Sequence, residues 1–381
     1  MQNQEFKLRR AELCKQLGAG NVGLIYAAPE RARSGNQNYP YRQNSNFYYL
    51  TGFNEPNALA VFIPGRAEGE FILFCHEHDD LQRAWLGARL GREKALTHFG
   101  ADQAFLIQEV DAVVPELLTG RHLVDDKILE SMIYQMRLKK SHSEINLIRK
   151  AIDITAAGFI RSMQECRPGM YEYELEAEVL YEFMRRGSRY EAFKTMVATG
   201  VNACTLHYEK NADVLKNNDL VLIDSGAEYK YYCSDVSRTF PVNGKFSSKQ
   251  AILYEAVLEA QLEVIKHIHP GVKFVDLQII ADKIITHNLL KLNLIKSLEV
   301  GCKEFFMHKI GHSLGLDTHD VGSFDTLEPG MVITVEPGIY VREQGIGIRI
   351  EDDVLVTANG HEVLTDMIPK SIKDIEKLMK K

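Results

Sequence analysis

Two apolar stretches, LVLIDSG running through Asp224 and VITVEPG running through Glu336, each end in an acid, any residue and glycine, and the pattern around them repeats. His207 precedes Asp224 by 17 residues, and His319 precedes Glu336 by the same 17. A second acid follows each one, Asp235 in the first case and Glu351 in the second. Further upstream, Pro168-Gly169 ends one long helical pattern and Pro270-Gly271 ends another over residues 248–269; a leucine six positions after each glycine, Leu175 and Leu277, lies in a further helical pattern. Matches in this order point to an internal duplication. Two similar halves related by a pseudo-twofold axis bring their strand-end acids together, placing four carboxylates in one spot. Like charges that close cannot all stay ionised without a counter-charge, and a pair of divalent cations supplies it.

The chain has 381 residues, long enough for two domains. Its first third alternates apolar runs from Val22, Ala58 and Glu70 with helical patterns near residues 5–17, 79–90 and 107–118, which predicts a small α/β domain. Near residue 137 the texture changes. Ser141 to Glu144 forms an S-x-x-E capping box, and Ile145, Ile148, Ile152, Phe159 and Met163 follow at helical spacing until Arg167-Pro168-Gly169. The predicted domains are therefore 1–137 and 138–381, an α/β chain in which the small N-terminal domain precedes the duplicated one.

The 45 lysines and arginines are outweighed by 52 aspartates and glutamates, a formal charge of −7, which excludes the excess positive charge of a nucleic-acid binder. Six cysteines are scattered without a C-x-x-C pair, as suits free thiols in a reducing compartment. No run approaches the ~18 apolar residues of a membrane span, and MQNQEFKLRR lacks the apolar region of a secretion signal. A cytoplasmic protein with no membrane partner is the expectation.

Asp224, Asp235, Glu336 and Glu351 offer oxygen ligands, and one histidine from HKIGHSLGLDTHD, spanning His308 to Asp320, completes the set. Four carboxylates and an imidazole without thiolate make a hard site that favours Mn²⁺, with Zn²⁺ or Co²⁺ as alternatives. Two such ions about 3.5–4 Å apart share bridging carboxylates and hold a hydroxide between them, the arrangement for metal-assisted hydrolysis. Any one acid after a strand is more often a turn or cap residue, so the set carries the reading.

Taken together, LVLIDSG, YCSDVSRTFPV, HKIGHSLGLDTHDVG, LEPGMVITVEPGIY and GIGIRIEDDVLV resemble the proline-specific metallopeptidases of the pita-bread fold. YPYRQNSNFYYLTGFNEP, near the N-terminus, resembles the N-domain of bacterial aminopeptidase P. The resemblance covers nearly the whole chain. It implies a pseudo-twofold pita-bread catalytic domain and a Mn²⁺-dependent exopeptidase that removes an N-terminal residue when proline is second. It further implies metal ligands at Asp224, Asp235, His312, Glu336 and Glu351, with His207, His308 and His319 lining the cleft. A homo-oligomer, dimer or tetramer, is implied too, although the stretch between about residues 100 and 136 is shorter than in the best-known bacterial enzymes. Lys309 and Thr318 depart from the usual motif at positions that are not ligands.

An Xaa-Pro bond has no N–H, so a dedicated site must recognise the proline ring. On this reading Glu336 is ligand and proton shuttle, and His207 and His319 donate hydrogen bonds to the developing oxyanion or substrate backbone. His308 and Tyr340 flank the proline ring, while Arg349 orients the ligands or binds substrate carboxylate. A prolidase restricted to Xaa-Pro dipeptides carries nearly the same ligands, methionine aminopeptidase shares the five ligands without such an N-domain, and creatine amidinohydrolase shares the fold without the metal acids. A non-enzymatic peptide-binding module is a further alternative, against which the intact acids and histidines argue. Several features read as ordinary: His98, His142, His267, His287 and His361 as surface or core residues, CHEHDD at 75–80 as turn and cap, and Trp85 chiefly as core. GAGNVG at 18–23 follows a helix and precedes a strand, the reverse of a dinucleotide fingerprint.

Overall fold

The computed structural model describes residues 3–77, 83–85 and 87–380. The chain divides into two compact units, Met1–Met136 and Arg137–Lys381.

In the first unit, five strands form one sheet in the order Gln103–Leu106, Phe71–Cys75, Leu59–Phe62, Asn21–Tyr26, His122–Leu123. The three central strands pair antiparallel and both outer ones pair parallel. Leu59–Phe62 and Phe71–Cys75 are buried along their whole length, which is why they read as unbroken apolar runs. Val22, Leu59, Val61, Ile63, Ile72, Phe74 and Leu117 form the core against this sheet. The helix Asn3–Leu17 precedes the first strand, with Gly18 and Gly20 in left-handed backbone between them, so GAGNVG is a helix-to-strand turn. The pattern near 107–118 becomes a short 3₁₀ turn, Ile107–Glu109, followed by the helix Val110–Leu118. The expected helix at 79–90 and the His78–Asp80 part of CHEHDD fall largely outside the described residues; Cys75 itself closes a strand. Trp85 is 87% exposed rather than core. Left-handed backbone at Gly87, two residues later, breaks the helical spacing on which a core position was expected.

The second unit is built twice. Its first half opens with the helix His142–Glu165, capped by Ser141 and Glu144 in reciprocal hydrogen bonds, and continues with the helix Glu172–Arg185. The second half opens with Ser248–Lys266, capped by the same kind of box from Ser247 and Gln250, and continues with Phe274–Lys291. Leu175 and Leu277, the paired leucines, are both fully buried in those second helices. Each half then contributes an antiparallel strand pair: Leu220–Ser225 with Val236–Pro241, and Val332–Val335 with Asp352–Thr357. All four strands are buried almost throughout, packed in one large core with both helix pairs.

The glycines of the two acid-x-glycine motifs have a steric cause. A Cβ on Gly226 would lie 1.7 Å from the Ser234 carbonyl oxygen, and one on Gly338 would lie 2.6 Å from the Tyr340 hydroxyl. Each acid is thus followed by the residue that lets neighbouring chain press against it.

Behind the second strand pair sits a buried ion network. Asp352, fully buried, accepts hydrogen bonds from Arg238 at 2.7 Å, Lys370 at 2.5 Å, Gln261 at 2.9 Å and Thr365 at 2.7 Å. The Arg238 side chain, equally buried, also donates to the carbonyls of Ser237, Glu351, Ile368 and Pro369. Burial alone would raise the Asp352 pKa, but the charges of Arg238 and Lys370 hold it well below the usual carboxylate range. A depressed carboxylate contributes stability that is fully present above the ordinary aspartate value and drains away as pH falls towards the depressed one. Asp352→Ala strands the buried Arg238 and the half-buried Lys370 and should cost about 3–5 kcal/mol of unfolding free energy at pH 7, read by urea titration. The loss should shrink below about pH 4, where the unfolded aspartate is itself protonated.

Candidate metal centre

The antiparallel pairs determine where the acids go. Asp224 lies near the end of Leu220–Ser225, opposite Ser237, and Asp235 stands immediately before the partner strand. Glu336 follows Val332–Val335 directly and Glu351 stands immediately before Asp352–Thr357, with Val335 opposite Asp352. Each half therefore supplies one acid where a strand ends and another where its partner begins. The halves are joined between the acids, since Glu351 N donates to Ser237 O at 3.1 Å and the Ser237 hydroxyl donates to Glu351 Oε2 at 2.7 Å.

His312 reaches the same place by running beside Val332–Val335. Thr334 N donates to His312 O at 2.9 Å, His312 N donates to the Thr334 hydroxyl at 3.0 Å, and Glu336 N donates to Ile310 O at 2.9 Å. A Cβ on Gly311 would sit 2.0 Å from the Thr334 carbonyl oxygen, so the motif needs glycine at that close approach.

Among the described residues, one set of three has ligand atoms all within 4.8 Å of one another: Asp235, His312 and Glu351. His312 Nε2 is 3.4 Å from Asp235 Oδ2 and 3.4 Å from Glu336 Oε1. Asp224 closes the ring through Arg349, whose Nη2 donates to Asp224 Oδ2 at 2.5 Å while its Nε donates to the Ser237 hydroxyl at 2.7 Å. Asp224 Oδ1 and Asp235 Oδ1 are buried with no hydrogen-bond partner. Orphaned carboxylate oxygens facing a cluster of further oxygens and an imidazole fit hard divalent cations.

The electrostatics agree. Burial, with the charge of Asp224 and against the hydrogen bond from His312, raises the pKa of Asp235 to about 6, and burial raises Glu336 to about 7. Glu351 is driven well above the usual range by burial and by the charges of Asp235, Glu336 and Asp224. Burial opposes the charged form of His312, but the hydrogen bond and charge of Asp235 outweigh it and lift the imidazole to about 9. His312 Nδ1 lies 3.0 Å from the Ser313 carbonyl oxygen, so it carries the proton and donates there. Nε2 is then the nitrogen that faces the acids, the one available to a metal once deprotonated.

Around this cluster stand the remaining predicted residues. His308 Nδ1 donates to the Lys309 carbonyl at 2.8 Å, and its Nε2 lies 2.8 Å from the Tyr340 hydroxyl, to which Arg349 Nη1 donates at 3.0 Å. The His319 ring contacts the His312 ring edge-on at 4.4 Å between centroids. His207 is exposed in the turn after the 3₁₀ segment Gly200–Cys204, close enough to lower the pKa of His308 and His319. Two residues that the sequence reading passed over belong here: Ser237 joins Arg349 to Glu351, and Thr334 touches both His312 and Glu336. Both lie inside the quoted motifs, but nothing in their spacing marks them.

Residues 146–358 match the model of metallopeptidase family M24, and residues 6–124 match that of the aminopeptidase P N-terminal domain. The chain belongs to metallopeptidase family M24. It is 39% identical to Xaa-Pro aminopeptidase of Escherichia coli over 99% of this chain and 97% of that protein, and 40% identical to the Haemophilus influenzae enzyme of the same name over the same shares. Its fold superposes on Pseudomonas aeruginosa aminopeptidase PepP with a TM-score of 0.95, at 38% identity over 100% of this chain and 98% of that one. A zinc-substituted E. coli aminopeptidase P in complex with product superposes with a TM-score of 0.93, at 38% identity and the same coverage. A small N-terminal α/β unit followed by an M24 unit is thus the architecture, as the motifs predicted, and divalent-metal binding goes with it.

The raised acids and raised imidazole share one sign. Asp235 and Glu336 favour the protonated folded state between about pH 4 and their folded values of about 6 and 7, and His312 does so up to about 9, so metal-free protein loses stability as pH rises through this window. Manganese should raise the melting temperature more at pH 8 than at pH 5.5, and titration calorimetry at pH 6 in two buffers of different ionisation enthalpy should show proton release on binding. A melting temperature equally insensitive to Mn²⁺ at both values would count against the site.

Proposed function

We propose that this M24 enzyme hydrolyses the bond between an N-terminal residue and a proline in second position, releasing the first residue from peptides longer than two. The whole-chain match to proteins named Xaa-Pro aminopeptidase, N-terminal domain included, carries this reading and separates it from methionine removal. A structure of an E. coli aminopeptidase P variant in complex with substrate has the same fold at a TM-score of 0.93.

Asp224, Asp235, His312, Glu336 and Glu351 would hold two divalent cations, with Mn²⁺ favoured by the all-oxygen and single-imidazole donor set and Zn²⁺ or Co²⁺ as alternatives. Bound there, divalent cations supply Lewis acidity and a water acidic enough to ionise near neutral pH. Glu336 would take a proton from the attacking water and hand it to the prolyl nitrogen as the amide breaks. His207 and His319 would donate to the developing oxyanion or the substrate backbone. His308 and Tyr340, already joined by a hydrogen bond, would form the wall against the proline ring. Arg349 is buried, and its guanidinium already serves Asp224, Ser237 and Tyr340, which supports an orienting role over a grip on substrate carboxylate.

A cytoplasmic setting is part of the proposal and is supported by six free cysteines, five of them buried. No described helix is long and apolar enough to cross a membrane. A homo-oligomer, dimer or tetramer, is proposed from the family resemblance.

Chelator-stripped enzyme given Ala-Pro-Ala, Ala-Pro and Met-Ala-Ser should release alanine from Ala-Pro-Ala only once Mn²⁺ is added, as read by mass spectrometry. Cleavage confined to Ala-Pro would make it a prolidase, and no cleavage with any divalent metal would favour a binding module. Removing one oxyanion donor with His319→Ala or His207→Ala should lower kcat about 10²–10³-fold with manganese content unchanged, measured by stopped assay and metal analysis.

A further inference from the structure

His207 stands on a surface turn, yet an oxyanion donor has to be held within a fraction of an ångström of its working position. The means of holding it lies one layer below. Glu172, the first residue of the helix Glu172–Arg185, has no exposed surface, and its carboxylate gathers four hydrogen bonds from one loop. Oε1 accepts from Thr199 N at 2.8 Å and from Asn202 Nδ2 at 3.0 Å. Oε2 accepts from the Tyr208 hydroxyl at 2.8 Å and from Asp213 N at 2.9 Å. His207 sits between Asn202 and Tyr208, so the carboxylate grips the loop on both sides of it.

All four donors are neutral. A buried charge with neutral partners is costly, and here it is offset by the number of donors and by the helix N-terminus on which it sits. No neutral side chain could replace it, because only an ionised carboxylate accepts on two oxygens at once without donating. The clamp is extended by Asn211, buried and in left-handed backbone, which donates to Glu176 Oε2 at 2.9 Å and to Thr195 O at 2.8 Å and accepts from Val197 N at 2.9 Å. On its other side the loop reaches the site, with Leu206 and Tyr208 packed on the cluster of Ala198, Ala203, Leu222 and Tyr340. A Cβ on Gly347 would lie 2.2 Å from the Ala203 carbonyl oxygen, so the loop is seated against the Ile346–Arg349 strand.

The geometry points to Glu172 as a positioning residue for His207: its carboxylate holds the Thr199–Asp213 loop so that the imidazole is presented to the reacting carbonyl. This rests on the oxyanion-side role given to His207 above.

The test is a double-mutant cycle on manganese-loaded enzyme with Ala-Pro-Ala as substrate, comparing Glu172→Gln, His207→Ala and the double variant. Glu172→Gln should lower kcat/KM about 10-fold or more in the native background but less than about twofold once His207 is alanine, because the imidazole it serves is gone. Equal losses in the two backgrounds would show a general structural role and overturn the inference. If Glu172→Gln does not fold, Tyr208→Phe removes a single hydroxyl from the clamp and is read in the same cycle with the same two outcomes. Amide hydrogen exchange over residues 199–213 needs no turnover and should be faster in either variant; unchanged exchange would also overturn the clamp. Full activity in His207→Ala alone would instead sink the role given to His207, and the positioning role with it, even where exchange shows the clamp intact.

Discussion

Everything in the second unit is arranged around a repulsion. Asp224, Asp235, Glu336 and Glu351 crowd together at the ends of two antiparallel strand pairs, and burial plus mutual charge lift the pKa of three of them above the carboxylate range. Removing ions from water costs several kcal/mol each, so a fold that gathers four acids must either keep some of them protonated or bring cations to them. Arg349 supplies one fixed positive charge through Asp224, and His312, protonated while no metal is bound, supplies another. Without metal the rest of the repulsion is relieved by protonation, with Glu351 driven furthest from the ordinary carboxylate range, and the oxygens left over on Asp224 and Asp235 are where further cations fit. The rigidity that holds the acids in place despite their repulsion comes from behind, where Arg238 fastens the Glu351 carbonyl and the Asp352 carboxylate to one guanidinium.

The duplication equalised the backbone but not what supports it. The His207 loop is held by a carboxylate, Glu172, collecting neutral donors. The His319 loop is held the other way round: Asp317 and Asp320 flank the histidine, and Arg137 reaches them at 2.7 and 2.6 Å, while Lys140 adds 3.0 Å to Asp320. Arg137, Lys140 and the Asp320 carboxylate are nearly without exposed surface. Both loops face the problem of fixing an exposed imidazole from beneath; the first is held from within its own half, whereas the second is held by Arg137 and Lys140, which precede the helix that opens the first half. Symmetry of position between His207 and His319 therefore does not extend to symmetry of electrostatic surroundings.

What the sequence disclosed and what it hid follow from locality. The acids were legible because Asp224 and Glu336 close strands at the same interval from a histidine and a second acid follows each, and the capped helices were legible because a capping box spans only four residues. The seventeen-residue spacing of histidine and acid marked the two halves without any knowledge of their packing. Ser237 and Thr334 were not legible, since a hydroxyl beside a carboxylate becomes meaningful only when Glu351 or His312 arrives from far along the chain. The Asp352 network was hidden for the same reason: Arg238, Gln261, Thr365 and Lys370 share nothing in sequence but converge on one buried group. Trp85 misled because helical spacing of apolar residues predicts burial only where the helix continues, and Gly87, in left-handed backbone, follows two residues later.

The wall beside the metal cluster has a direction that its chemistry imposes. Arg349 can only donate, so the Tyr340 hydroxyl accepts from it, and that leaves the Tyr340 proton free to go to His308 Nε2. His308 Nε2 must then be unprotonated, which agrees with Nδ1 donating to the Lys309 carbonyl. Burial, with Arg349's charge second, lowers the His308 pKa to about 4, so the tautomer drawn by the hydrogen bonds is also the charge state favoured by the surroundings. A neutral imidazole and a phenol whose own pKa burial pushes up to about 12 present an uncharged face at every pH in which the acids next to them change state. An uncharged, aromatic face is what the proposed proline ring, which has no N–H to offer, would require of this wall.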